Sequence, residues 1–277
     1  MFNPQRLVID HFVQELKNAY QQVYGELEPH IGSIAAWTAR IVLENIANSD
    51  ALYHNVEHTI MVTQVGQSII KGKHLCEGGI FPRDWLQFTM ALLCHDIGYV
   101  RGICRADCGD VFATGIGDKT VQIAHGGTDV AMTPYHVDRS KRFVLERFGG
   151  DLMTDVDAER IASYIEMSRF PPPDNEAYQD TKDLSGLLRA ADFIGQLGDP
   201  NYLRKIPALF YEFEELGVNE QQGYRTPGDM RKRYARFYWD VIDDYIHDAL
   251  YYLRRTQEGK IWVFNLYAHV FEIEHEA

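Results

Sequence analysis

Trp85-Leu86-Gln87-Phe88-Thr89-Met90-Ala91-Leu92-Leu93-Cys94-His95-Asp96-Ile97-Gly98 is the stretch that decides how this chain is read. Trp85 to Cys94 is nearly all apolar, as a buried helix would be. It ends on a histidine and an aspartate, with Gly98 as the predicted helix stop. Outward from this stretch helical periodicity dominates. Ile9, Phe12, Val13, Leu16 and Tyr20 mark one helix face, Ile34, Trp37, Ile41 and Val42 a second, and His58, Met61, Val62, Val65 and Ile69 a third. Residues 101–119, rich in Gly, Asp, Cys and Thr, read as a long loop, and loops of that length in a compact domain are often functional. Helical pattern resumes through Phe148 and from Asp155 to Ser168, breaks at Pro171-Pro172-Pro173, and returns over Leu184–Leu197, Tyr202–Leu216, Asp229–Arg255 and Lys260–Glu272. No alternating strand pairs with hairpin turns, no internal repeat and no low-complexity linker are visible in the sequence. The prediction is one all-α domain over residues 1–277, with a motif core at about 50–200 and C-terminal helices over 200–272 completing it.

The bulk composition narrows the function. A chain of 277 residues with 45% hydrophobic content can bury a sizeable core, and 24% charged residues is an ordinary ordered composition. The formal net charge of −13 repels phosphate backbones, so neither nucleic acid nor an anionic membrane is expected as a partner. A small phosphorylated substrate remains compatible, because a bound metal can reverse the local field. Met1-Phe2-Asn3-Pro4-Gln5-Arg6 shows no signal-peptide pattern, and no run approaches the roughly 18 apolar residues of a membrane span. Cys76, Cys94, Cys104 and Cys108 do not form a disulfide framework, which makes a reducing cytoplasm the expected location. Cys104 and Cys108 lack a matching second pair and are predicted to be free thiols.

Three motifs carry chemistry. Tyr53-His54-Asn55-Val56-Glu57-His58 spaces two histidines four apart, one turn of a helix, and His58 heads an apolar stripe that should point inward. His95-Asp96 follows the buried helix. Leu188-Arg189-Ala190-Ala191-Asp192 places an aspartate after a mostly apolar turn. Taken singly, the bland readings are favoured over ligands: a satisfied core histidine, a chance His-Asp pair, a helix-surface aspartate. A second His-Asp pair, His247-Asp248, sits in the acidic stretch Asp240 to Asp248 and reads as a solvated face. Together, two imidazoles and two carboxylates form a mixed N/O set that suits zinc, iron, manganese or magnesium better than a thiolate metal would. Asp96, with two oxygens, could bridge a pair of metals.

The order His, His-Asp, Asp, with Tyr53-His54-Asn55 ahead of it and Ala191-Asp192 closing it, resembles the class I cyclic nucleotide phosphodiesterase branch of the HD superfamily of metal-dependent phosphohydrolases. Ile165-Glu166-Met167-Ser168-Arg169 is similar to a further family segment, as is Val144-Leu145-Glu146. The resemblance implies an all-helical catalytic domain with two divalent metals. His58, His95, Asp96 and Asp192 would hold the tighter ion, Asp96 would touch both, and His54 would be the general acid. Glu146 and Glu166, with Asn55, would order waters or partner histidines around the ligands. The implied reaction is attack of metal-bound hydroxide on a phosphodiester such as a cyclic nucleotide, with His54 protonating the leaving oxygen.

The chain also departs from that family. A family histidine three residues after the His-Asp pair is Tyr99 here, beside the expected second metal. The glutamine that selects the base in the family has no counterpart around Arg236-Phe237-Tyr238-Trp239-Asp240-Val241-Ile242, where the aromatics either stack on a ring or belong to the core. Between the His-Asp pair and Asp192 lie His125, whose Gly126-Gly127 lets backbone approach a ligand, and His136, which reads as a surface histidine beside Asp138 and Arg139. Alternatives stay open. A nucleotide phosphomonoesterase would want Arg101, Arg105, Arg169 or Lys119 close to the metals. A di-iron oxygenase would need the extra histidines. A non-catalytic HD binding module would have no need of His54. The aromatic C-terminal helices, with Tyr245, Tyr251, Tyr252 and Trp262, either form a homodimer face or close the core.

Overall fold

In the computed structural model residues 2–150 and 153–276 are described. The fold is all-α. Helix α1 (Pro4–Tyr24) starts where Asn3 accepts the Arg6 amide and Pro4 occupies the first turn. It buries the expected face of Ile9, Phe12, Val13, Leu16 and Tyr20. Helix α2 (His30–Ile46) differs from its predicted stripe. Its core side is Ile31, Ala35, Ala36, Ala39, Val42, Leu43 and Ile46, whereas Trp37 is 47% exposed and meets Phe148 edge-on. The alanines face α1 and α4 (Pro82–Cys94), where small side chains let the helices pack closely.

Helix α3 (Val56–Glu77) runs through the centre and packs on α4, on α7 (Leu184–Leu197) and on α12 (Asp243–Leu253). The α3–α7 approach depends on Gly195, because a Cβ there would lie 2.7 Å from the Val62 Cα. Helices α5 (His136–Phe148) and α6 (Ala158–Glu166) pair with each other beside α4. Helix α8 (Tyr202–Glu215) and the short α9 (Val218–Gln222) lead to a C-terminal run that does not form the single helix expected over Asp229–Arg255. It breaks into α10 (Pro227–Lys232), α11 (Tyr234–Phe237), a wide π turn at Tyr238–Ile242, and α12. Helix α13 (Gln257–His275) closes the chain. Tyr252 and Trp262 are buried, Tyr245 packs against the core, and Tyr251 is exposed, so most of these aromatics complete the interior. Tyr238 is likewise buried, while Trp239 is exposed and donates to Glu274.

A small antiparallel hairpin crosses the end of the expected loop: β1 (Val111–Ala113) lies within it, whereas β2 (Thr120–Gln122) lies where helical pattern is expected to resume, and the helix begins only at His136. Three-residue strands are too short to leave an alternation signal in the sequence. The buried Arg139 holds this hairpin onto the bundle through Asp107, Ala113 O, Gly98 O and Val100 O. All four cysteines are free thiols, Cys94 and Cys104 being buried. Among the described residues no helix is long and apolar enough to cross a membrane.

Candidate metal centre

The end of α4, the start of α3 and the middle of α7 converge on one point. Asn55 caps α3 by accepting the amides of Glu57 and His58 at 2.9 and 3.2 Å, which fixes the first turn and with it His58. At the end of α4, His95 and Asp96 leave the helix in a tight turn. The His95 Nδ1 donates to Leu92 O at 2.7 Å, which leaves Nε2 as the atom that turns to the convergence. Asp192 reaches the point from α7.

Asp96 and Asp192 each face both histidines, and His58, His95 and Asp192 form the set whose ligand atoms are all close enough to share one ion. His58 Nε2 lies 3.2 Å from Asp96 Oδ2 and 3.4 Å from Asp192 Oδ1. His95 Nε2 lies 3.1 Å from Asp96 Oδ2 and 3.7 Å from Asp192 Oδ1. Two donors each about 2.0–2.1 Å from a tetrahedral zinc would be about 3.3 Å apart, which these separations match. Ligand atoms of His58, His95 and Asp192 lie within 4.8 Å of one another. His95 Nε2 and Asp96 Oδ2 are buried without a hydrogen-bond partner among the described residues, and both belong to this convergence. The residues present therefore fit a divalent ion.

The electrostatics agree. Burial pulls the His95 imidazole down, but Asp96 and Asp192 outweigh it and push it up to about 9. His58 is raised in the same way against its burial. Burial would raise Asp96, yet His95 and His58 hold it well below the usual carboxylate range. A centre that draws protons onto its histidines so strongly is one that favours positive charge.

His54 is not part of the convergence. It precedes α3 rather than lying on its first turn, so the one-turn spacing expected on a helix does not apply. Its ring nevertheless lies 5.6 Å from that of His58. Its Nδ1 is 2.6 Å from Glu212 Oε2, a buried carboxylate of α8 that also accepts the amides of Tyr53 and His54. Burial lowers His54, Glu212 more than offsets this, and the imidazole ends above its ordinary value. Glu212 is held low by the same partner against its own burial.

Tyr99 fills the position of the absent histidine as the middle ring of a stack, 4.5 Å from His54 on one side and 4.5 Å from His136 on the other. His136, read from sequence as a surface residue, belongs to the centre. Its Nε2 faces Asp96 Oδ1 at 3.9 Å, and its Nδ1 bonds Thr133 O at 2.6 Å. Burial, its largest influence, keeps it below its ordinary value and so neutral, as a ligand must be. Its Asp138 and Arg139 neighbours point elsewhere, to Arg169 and to Asp107.

Gly98 is the device that brings His136 in, and this corrects its reading as a helix stop. α4 already ends at Cys94, and a Cβ on Gly98 would fall 1.9 Å from His136 O. Ser140 completes the seam by accepting the Gly98 amide at 2.9 Å and donating to His95 O at 2.7 Å.

Three expected residues lie away from the centre. His125 is exposed in the loop after β2. Glu146 pairs with Arg142 and with the Arg105 amide at the outer side of α5. Glu166 is tied to Lys141, Arg169 and Tyr178, and these hydrogen bonds hold it at about 2 against its burial. Sequence reasoning missed Glu212 and His136. Glu212 left no local signal, since its partner is 158 residues away. His136 could have been found from the seam, as Gly98 and Ser140 both serve it.

An all-α protein with a buried histidine–aspartate cluster is what fold and site define. The chain belongs to the Npun_R2479-like family, whose model matches residues 2–276. No curated protein and no solved structure matches it.

Proposed function

We propose that the protein is a metal-dependent phosphohydrolase of the HD type that cleaves a small phosphodiester, such as a cyclic nucleotide. The observation that carries this reading is the pairing of a four-residue N/O cluster with a separate imidazole, His54, whose pKa is raised by Glu212 beside it. A binding module needs the first and has no use for the second. His58, His95, Asp96 and Asp192 would hold one divalent ion, and Asp96 with His136 would supply ligands to another. Bound there, the metals would polarise the phosphoryl group and lower the pKa of water.

The chain's own residues do the rest. Glu212 accepts from His54 Nδ1 and fixes the ring, leaving Nε2 as the nitrogen that would carry a proton to a substrate. The proton passes to the departing alkoxide, leaving neutral imidazole and an unchanged carboxylate. Tyr99, stacked between His54 and His136, keeps the acid and the outer ligand at a fixed spacing. The phosphomonoesterase reading wants an uncommitted cation near the centre. Arg101 is bound by Asp129, Asp50 and Gly127 O, and Arg105 by Glu146. Arg169 lines a cavity of about 260 Å³ with His136 but is neutralised by Glu166 and Asp138, which favours the diester.

The test is turnover of bis(p-nitrophenyl) phosphate and of 3′,5′-cyclic nucleotides by manganese- or zinc-loaded protein. Diester cleavage that falls about 10²–10⁴-fold in His54→Ala, with metal content unchanged, is the expected result. Turnover indifferent to His54, or absent from the loaded protein, would sink the reading.

A further inference from the structure

Most aromatics of the C-terminal helices close the core, yet α13 keeps an apolar face that no other described element covers. Its inward side is Trp262, Leu266, His269, Val270 and Ile273, packed against α3, α7, α11 and α12. Its outward side carries Ile261, Phe264, Ala268 and Phe271. The three large residues are 58%, 71% and 63% exposed, and Ala268 is half-buried. Trp239, 49% exposed, is tied beside the last turn of this helix by its bond to Glu274 at 2.9 Å. A single exposed apolar side chain is ordinary. Three large ones along one helix face are not, because a helix that is apolar on both sides is normally buried on both.

The spacing identifies the kind of cover. Ile261, Phe264, Ala268 and Phe271 recur at intervals of three, four and three residues, the seam by which one helix packs on another. The charges identify which helix. At the start of α13, Arg254, Arg255 and Lys260 are exposed and make no ion pair among the described residues, and the neighbouring Glu258 lies 3.9 Å from Lys71. At its end, Glu272, Glu274 and Glu276 are exposed, and the one guanidinium among them, Arg231, pairs with Glu272 and Glu276. The face is therefore basic at one end and acidic at the other. Turned end for end, a second α13 meets it with opposite charge at both ends, whereas a parallel one would set like on like. A register that places Phe264 against Phe271 of the copy brings Lys260 to Glu274 of the copy, and the two-fold axis repeats the pair. A helix of 19 residues is about 28 Å long, which gives a seam at the small end of stable interfaces and a reversible pairing.

We propose that the protein forms a two-fold dimer in which α13 of one copy packs antiparallel on α13 of another. His58, His95, Asp96 and Asp192 all lie outside α13, so this pairing does not depend on how their cluster is read.

The test is sedimentation equilibrium of the full chain from about 1 to about 100 µM. A dimer with Kd of about 10 µM or below is expected, and Phe264→Glu should weaken it about tenfold or more with an unchanged far-ultraviolet circular dichroism spectrum. Cysteine substitutions read the direction. Ala268 lies near the axis, so Ala268→Cys should link to itself under mild oxidation beyond the wild-type level set by Cys76 and Cys108. Ile261→Cys, which faces the far end of the partner helix, should not. A chain that stays monomeric at about 100 µM leaves this face to a different partner and overturns the proposal. So does a dimer indifferent to Phe264→Glu, or one that Ile261→Cys links as readily as Ala268→Cys.

Discussion

Replacing Asp107 by alanine should loosen the scaffold that holds the outer half of the centre. Asp107 and Arg139 are both sealed from solvent, with side-chain exposures of 1% and 0%. The carboxylate takes the guanidinium in two bonds of 3.1 and 2.9 Å. Removing one partner of a buried pair leaves an uncompensated charge and costs about 3–5 kcal/mol. Arg139 would still donate to Gly98 O, Val100 O and Ala113 O, which argues for the lower end. At ~2.1 cal/mol/K per residue, a chain of 277 residues has an unfolding entropy of about 0.6 kcal/mol/K, so about 3 kcal/mol lowers the midpoint by about 5 °C. Calorimetric melting of the two proteins measures this directly. Asp107→Leu combined with Arg139→Met removes both charges but strips Gly98 O, Val100 O and Ala113 O of their donor, so the double variant should not recover the loss. A midpoint within about 1 °C of wild type for Asp107→Ala would refute the argument that this pair carries the hairpin and the Gly98 seam.

Other consequences follow from the same geometry. Gly98→Ala sets a Cβ against His136 O and the Ser140 amide, both backbone, so it should destabilise by about 1–3 kcal/mol and reduce the metal held beyond the first equivalent; unchanged melting and metal stoichiometry would contradict this. Glu212→Gln removes the charge that raises His54. The acid form exists below its pKa, so the alkaline limb of the pH–rate profile should move to lower pH, and a limb that stays in place or moves up would show that Glu212 does not set it. Metal must displace the proton that His95 carries up to about pH 9, so affinity for zinc should climb with pH towards that value; titration calorimetry giving a flat profile would be inconsistent with the ligand set.

The inner part of this cluster was legible because His58 and His95-Asp96 sit at helix ends, and Asp192 within a helix, that strong local patterns mark. The apolar run into His95-Asp96 and the stripe headed by His58 both point inward by periodicity, and Asp192 follows one turn of buried α7. What was not legible depends on tertiary approach. Gly98 read as a stop because a glycine after an apolar helix usually is one; its use, to admit the backbone of His136, is set by a helix 38 residues on. Glu212 lies on a helix whose own pattern marks it only as polar. The α2 stripe was misjudged for a related reason: periodicity weights Trp37 by its size, whereas the contact with α1 and α4 selects alanines. The C-terminal run looked like one helix because the turns at Arg233 and Tyr238–Ile242 keep helical dihedrals and leave the apolar spacing nearly intact.

The most direct test of the central claim is the metal content of protein purified without chelator, set beside His58→Ala/Asp192→Ala. The account predicts about one to two transition-metal ions per chain in the wild type, and none in the folded double variant. A wild type that carries no metal and takes up none from zinc, manganese or iron would contradict it.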